Sequence, residues 1–125
     1  MPKSAAFKAE GTEHLAALTK GGNYFLNMRE SVWHPGLDLI IFDSLLPGSY
    51  MPAFDPAKNR WVGSKVTGEF THNHQAGFAY DRKRDLLYVA DAHAQVFALR
   101  LDPKTAVIKT FAEIAAEAAA GASSR

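Results

Sequence analysis

A chain of 125 residues with 47% apolar and 22% charged residues has the composition of one folded domain, and its length suffices to bury roughly two thirds of the extended-chain surface. Cysteine is absent, which excludes disulfides, thiol nucleophiles and cysteine-ligated zinc or iron–sulfur centres, and a formal charge of +1 gives no reason to expect a nucleic acid. No apolar run approaches about 18 residues and the start MPKSAAFKAEG lacks the apolar core of a signal peptide, so the expectation is a cytoplasmic protein with no membrane span.

Residues 1–11 are alanine- and lysine-rich and read as a flexible N-terminal segment, followed by a single domain over 12–121 and a tail over 122–125. Thr12 is placed to cap a short helix from Glu13 to Lys20, with Leu15 and Leu18 on one side and Gly21-Gly22 as the stop. Asn23 to Met28 reads as extended, and Arg29 to Gly36 as a bend, because His34 precedes Pro35 and Gly36. Leu37 to Phe42 is a strand candidate. Ser44 to Lys58 carries Pro47, Pro52 and Pro56; proline lacks a backbone donor and restrains its predecessor, so the expectation is an irregular excursion rather than a central strand. Arg60 to Val62 starts the next extended segment, and Lys65 to Thr71 continues it with one polar side.

The densest β pattern follows. Ala76 to Tyr80, Leu86 to Ala90 and Gln95 to Leu101 are short runs rich in aromatic and aliphatic residues and predict a three-stranded meander, with Asp81-Arg82-Lys83-Arg84-Asp85 as its first tip. Both side-chain sets of Leu86 to Ala90 are mainly apolar, which predicts cover on both faces near the middle of the sheet. The tip's basic run is flanked by aspartates and reads as a solvated turn, not a phosphate contact. Asp102 to Thr105 is a turn and Ala106 to Lys109 a short returning strand. Thr110-Phe111-Ala112-Glu113 has the spacing of a capping box, opening a helix whose apolar face includes Phe111, Ile114 and Ala115. The fold class expected is α+β, with a mainly antiparallel sheet of about five or six strands and terminal helices packed against it.

Ala76-Gly77-Phe78-Ala79-Tyr80-Asp81, followed by Leu86-Leu87-Tyr88-Val89-Ala90-Asp91, resembles one strand pair of an NHL-type β-propeller blade. A complete propeller needs several such blades, and the pair covers only about a third of the chain.

Two sets of residues carry the functional expectations. Tyr50, Met51, Phe54 and Trp61 lie in or beside the proline-rich excursion and would supply apolar contact area, with Asp55, Lys58 and Arg60 as a polar rim. That set predicts a noncatalytic protein-binding or inhibitory module without a cofactor, whose partner is another protein; a homo-oligomer is also compatible with it. The alternative is a small metal-dependent enzyme or ligand-binding domain holding a divalent transition metal on His72, His74, Asp91 and His93, since residues two apart in extended chain share a face and imidazole with carboxylate suits zinc, manganese or iron. His34, between Trp33 and Pro35, reads as a structural loop contact. Ser31, Ser44, Ser49 and Ser64 lack the strand-to-helix elbow of a hydrolase, and no phosphate-cradling glycine motif occurs, so no catalytic residue is assigned.

Overall fold

The computed structural model describes residues 9–18, 30–67, 75–91 and 94–123. A 3-10 turn, Thr12–His14, leads into α1, Leu15–Leu18. Five strands, β1 (Ser31–His34), β2 (Leu39–Phe42), β3 (Tyr50–Asp55), β4 (Arg60–Lys65) and β8 (Ile108–Thr110), form one antiparallel sheet in the order β1-β2-β3-β4-β8. Strands β5 (Gln75–Asp81), β6 (Leu86–Asp91) and β7 (Val96–Leu99) form a second antiparallel sheet in chain order, and α2 (Phe111–Ser123) closes the described chain. The α+β class with antiparallel pairing is as the sequence suggests; the strands divide between two sheets.

Side-chain alternation makes three layers of these elements. On the five-stranded sheet Leu39, Ile41, Met51, Ala53 and Val62 share one face and are buried with Leu87 of the three-stranded sheet, while Phe78, Tyr80 and Leu99 pack against them. The opposite face carries Tyr50, buried with Leu18, Leu46, Phe111 and Ile114, so both helices cover that side. Gly63 lies close beneath α2: a Cβ there would stand 2.5 Å from Ile114 Cδ1 and 2.9 Å from Tyr50 Cβ, so a larger residue would force these two side chains to shift.

The path that delivers α2 to this layer is not a continued meander. After β7 the chain turns at Asp102, whose carboxylate accepts the Lys104 amide at 2.9 Å, and then leaves the three-stranded sheet to pair β8 with β4 through Val62↔Thr110 and Ser64↔Ile108. Helix α2 begins at the next residue. Its start is the capping box expected: the Glu113 amide donates to Thr110 Oγ1 at 3.2 Å, and the Thr110 amide donates to Glu113 Oε1 at 2.8 Å.

Three tips share one construction. At β1–β2, β3–β4 and β5–β6 the chain reverses through four residues, the last of which is Asp38, Asn59 or Asp85 at φ 55, 49 and 55. Asp and Asn tolerate this left-handed conformation better than most residues. The residue before each turn caps it. Asp55 Oδ1 accepts the amides of Ala57 and Lys58 at 3.1 and 3.3 Å, and Asp81 Oδ1 those of Lys83 and Arg84 at 3.0 and 3.1 Å. At the first tip His34 does the same work, its Nδ1 accepting the Leu37 amide at 3.1 Å.

Several sequence expectations are corrected. The bend at 29–36 contains strand β1, and the excursion at 44–58 contains β3, which lies in the middle of the five-stranded sheet. Pro52 is tolerated there because β3 pairs with β2 only at Ile40↔Phe54 and Ile41↔Ala53, so that ladder stops before reaching it. Thr12 is not a cap: Gly11, at φ 99, precedes the 3-10 turn without a side-chain bond, and Thr12 Oγ1 donates back to the Ala9 carbonyl at 2.7 Å. The three-stranded sheet is covered on one face, with Ala79, Val96 and Ala98 exposed on the other. The extended segments expected at 23–28 and 68–71 lie outside the described residues.

Candidate binding surface

The helical side of the five-stranded sheet is only partly closed. Phe42 ends β2, and Phe54 and Trp61 are a cross-strand pair of β3 and β4, all three pointing away from the inter-sheet core. Their rings cluster, with Trp61 5.4 Å from both Phe42 and Phe54, while Phe111 stacks on Trp61 at 5.7 Å and 17°. Between this cluster and the N-terminal turn lies an apolar groove of about 500 Å³, lined by Phe42, Phe54, Trp61, Leu15, Thr12 and Asn59, a size typical of ligand pockets. Backbone bonds dock the N-terminal side onto the sheet: the Glu10 amide donates to the Asn59 carbonyl at 3.0 Å, and the Trp61 amide to the Glu10 carbonyl at 2.8 Å.

One polar atom at this groove lacks a partner. Asn59 Oδ1 is buried and accepts no hydrogen bond, at a cost unless an incoming donor meets it. On the same hairpin Asp55 Oδ2 lies 3.6 Å from Arg60 Nε, and Lys58 projects into water at the turn. Phe54, Asp55, Lys58, Arg60 and Trp61 are therefore gathered at one hairpin and each retains some exposure. Tyr50 and Met51 are not part of that surface. Met51 is wholly buried between the two sheets, and Tyr50 is 1% exposed beneath the helices, with its hydroxyl 3.3 Å from Glu117 Oε1 and Lys65 Nζ 4.9 Å from its ring. Their apolar area is already used by the fold, so they offer none to a partner. Sequence reading missed Phe42, Leu15 and Asn59. Phe42 looked like strand core, and the one signal at Asn59 was an Asn ending a turn, which favours positive φ.

Ionisable groups also converge at His34. It is buried where β1 meets the three-stranded sheet, its ring 4.9 Å from that of Tyr80 and its Nε2 3.5 Å from Asp85 Oδ1, which also accepts the Tyr80 hydroxyl at 2.6 Å. Because Nδ1 accepts the Leu37 amide, the neutral ring carries its proton on Nε2, facing Asp85. Burial lowers the His34 pKa below 6.5, and the Asp85 charge opposes that only in part. With both nitrogens engaged and the ring withdrawn from solvent, this is a joint between the two sheets rather than a base open to substrate.

Of the metal set, His72, His74 and His93 lie outside the described residues. Asp91 ends β6, and its backbone is paired with Gln75, the residue next in sequence to His74. Among the described residues no group of three or more His, Asp or Glu is placed to hold a metal, and no described helix is long and apolar enough to cross a membrane. The basic tip is engaged locally, Arg84 Nη1 with Asp81 Oδ2 at 2.9 Å. No family model, curated protein or solved structure matches this chain.

Proposed function

We propose that this chain is a noncatalytic protein-binding module whose contact site is the aromatic groove between the N-terminal turn and the β3–β4 hairpin. The observation that supports this reading is the combination of an open apolar groove walled by Phe42, Phe54 and Trp61 with an unpartnered acceptor, Asn59 Oδ1. An apolar side chain of a partner would enter against the rings, and an N–H from the same partner segment would satisfy Asn59. Asp55, Arg60 and Lys58, on the hairpin that carries the groove, form the polar rim that sets orientation. Buried aromatic anchors with charged residues kept to the edge are the usual distribution of energy in such contacts.

The test uses a displayed random-peptide library panned against the intact chain. Trp61 lies in the groove and Trp33 does not, so binding is read by Trp61 fluorescence in a Trp33→Phe background. Selected peptides should carry an aromatic or large aliphatic anchor and perturb Trp61. Phe54→Ala should weaken them by about 2 kcal/mol, or roughly thirty-fold, without altering the far-UV spectrum. Asn59→Gly, which keeps the turn conformation accessible, should weaken them less. Selected peptides that leave Trp61 undisturbed and bind the folded Phe54→Ala chain equally well would remove the groove from consideration.

A further inference from the structure

The two sheets do not meet through corresponding faces. Counted from the left-handed residue that ends each tip, the five-stranded sheet buries the first and third residues against its neighbour, Leu39 and Ile41 after Asp38, and likewise Val62, third after Asn59. The three-stranded sheet buries the second and fourth, Leu87 and Val89 after Asp85. The stacking is therefore heterologous, an odd face on an even face, and such contacts leave one face of each kind unused.

The unused even face belongs to the five-stranded sheet, where Tyr50, Gly63 and Trp61 lie against α1 and α2. Among the described residues no element packs on the odd face of the three-stranded sheet, which bears Leu86, Tyr88 and Ala90, the positions that in the other sheet accept a stacked sheet. Its rows follow from the register. Gly77, Ala90 and Val96 form one, Ala79, Tyr88 and Ala98 the next, and Asp81 and Leu86 the last, with Arg100 completing it just past β7. Ala79 and Ala98 are exposed, Val96 is 66% exposed, and the middle strand is half-buried. An antiparallel sheet face left to water normally carries polar side chains, whereas the first two rows here carry only Gly, Ala, Val and Tyr.

We infer that this face is a self-association surface, occupied by the same face of a second copy of the chain. A head-to-tail stack of intact copies is blocked, because α1 and α2 cover much of the even face it would need. A two-fold axis running along β6 instead lays β5 of one copy over β7 of the other. Under it, Gly77 of one copy meets Val96 of the second, Ala79 meets Ala98, and the two Tyr88 rings meet at the axis, so bulk faces absence of bulk along the outer rows. Asp81 of each copy meets Arg100 of the other, giving opposite charges across both edges. Within one chain Asp81 accepts from Arg84 Nη1 at 2.9 Å and the Tyr88 hydroxyl at 3.2 Å, and Arg100 Nη2 donates to the Arg84 carbonyl at 2.9 Å, so Arg100 of the second copy joins an existing Asp81–Arg84 pair in competition with these bonds. Sheets stacked about 10 Å apart with nearly aligned strands are the common geometry for such a contact.

Three strands about 4.8 Å apart make a face roughly 15 Å on a side, small for a specific interface, so the dimer is expected to be weak, with a dissociation constant on the order of 100 μM. Sedimentation equilibrium over a concentration series bracketing that value should show the mass rising from 13.7 kDa toward twice that figure. Val96→Lys and Ala98→Arg put a charge on an exposed position of the face and should each weaken association at least ten-fold, with unchanged far-UV spectra and melting temperature in dilute solution. Arg100→Glu should weaken it through repulsion from Asp81, and Arg100→Lys should behave nearly as the unaltered chain. A mass that stays at 13.7 kDa throughout the series, or association of the folded Val96→Lys and Ala98→Arg chains like the parent, would overturn the inference.

Discussion

Asp43 and His34 are both withdrawn from water, at 4% and 1% exposure, and burial moves their titrations in opposite senses. Desolvation, with the nearby charge of Glu30 adding to it, raises the Asp43 pKa from 3.8 to about 6, and Asp43 Oδ1 has no hydrogen-bond partner to offset the cost. Between those pH values the folded chain holds a proton that the unfolded chain has released. Stability therefore falls as pH rises through that window, by roughly 3 kcal/mol in total. For His34 the sign is reversed. Its folded pKa lies below 6.5, the unfolded chain binds the proton first, and stability is lost as pH falls from 6.5 through the folded value. The two slopes partly cancel in the parent chain, and single substitutions separate them. Urea midpoints should rise with pH up to about 6.5 and then level off for Asp43→Asn, and fall with pH between about 4 and 6 before levelling off for His34→Gln, at unchanged m-value. An Asp43→Asn profile that follows the parent would mean that the buried carboxylate carries no such cost.

At the level of elements, what the sequence showed and what it hid both trace to local chemistry. The β5–β6 hairpin was readable because two apolar runs flank a charged tip whose first residue, Asp81, caps the turn amides through its own side chain. The start of α2 was readable because Thr110 and Glu113 satisfy each other's backbone amides within four residues. Strand β3 was hidden because its proline signals are real but harmless where the ladder ends, something only the neighbouring strand's register decides. The groove was hidden for a related reason: Phe42 and Phe54 share a face only through the Ile40↔Phe54 register, and alternation within a strand shows neither that pairing nor how far a helix reaches across it. The cap gives the element-scale prediction. Thr110→Ala removes the hydroxyl that accepts the Glu113 amide, and should lower stability by about 1 kcal/mol and the melting temperature by a few degrees. Thr110→Ser should restore most of that loss; if the serine chain melts with the alanine chain, the hydroxyl is not what holds the helix start.

Across the whole molecule, the central sheet belongs to two cores at once. Along β3, Tyr50 packs beneath the helices while the adjacent Met51, and then Ala53, pack against the three-stranded sheet, and on β4 Trp61 and Val62 divide the same way. Loosening one layer shifts backbone that the other layer uses, so the layers are expected to unfold as one unit. Leu87 and Ile114 are each 1% exposed, one on each side of the sheet, and truncating either to alanine should cost 2–5 kcal/mol. The decisive reading is on the side away from the change. In a Trp33→Phe background Trp61 reports only the helical layer, where Phe111 stacks on it at 5.7 Å. Leu87→Ala, in the opposite layer, should therefore move the Trp61 transition by as much as the far-UV transition. A Trp61 transition left at the parent midpoint while the far-UV signal shifts would show that the three-stranded sheet melts on its own, and that the alternation along β3 does not couple the two cores.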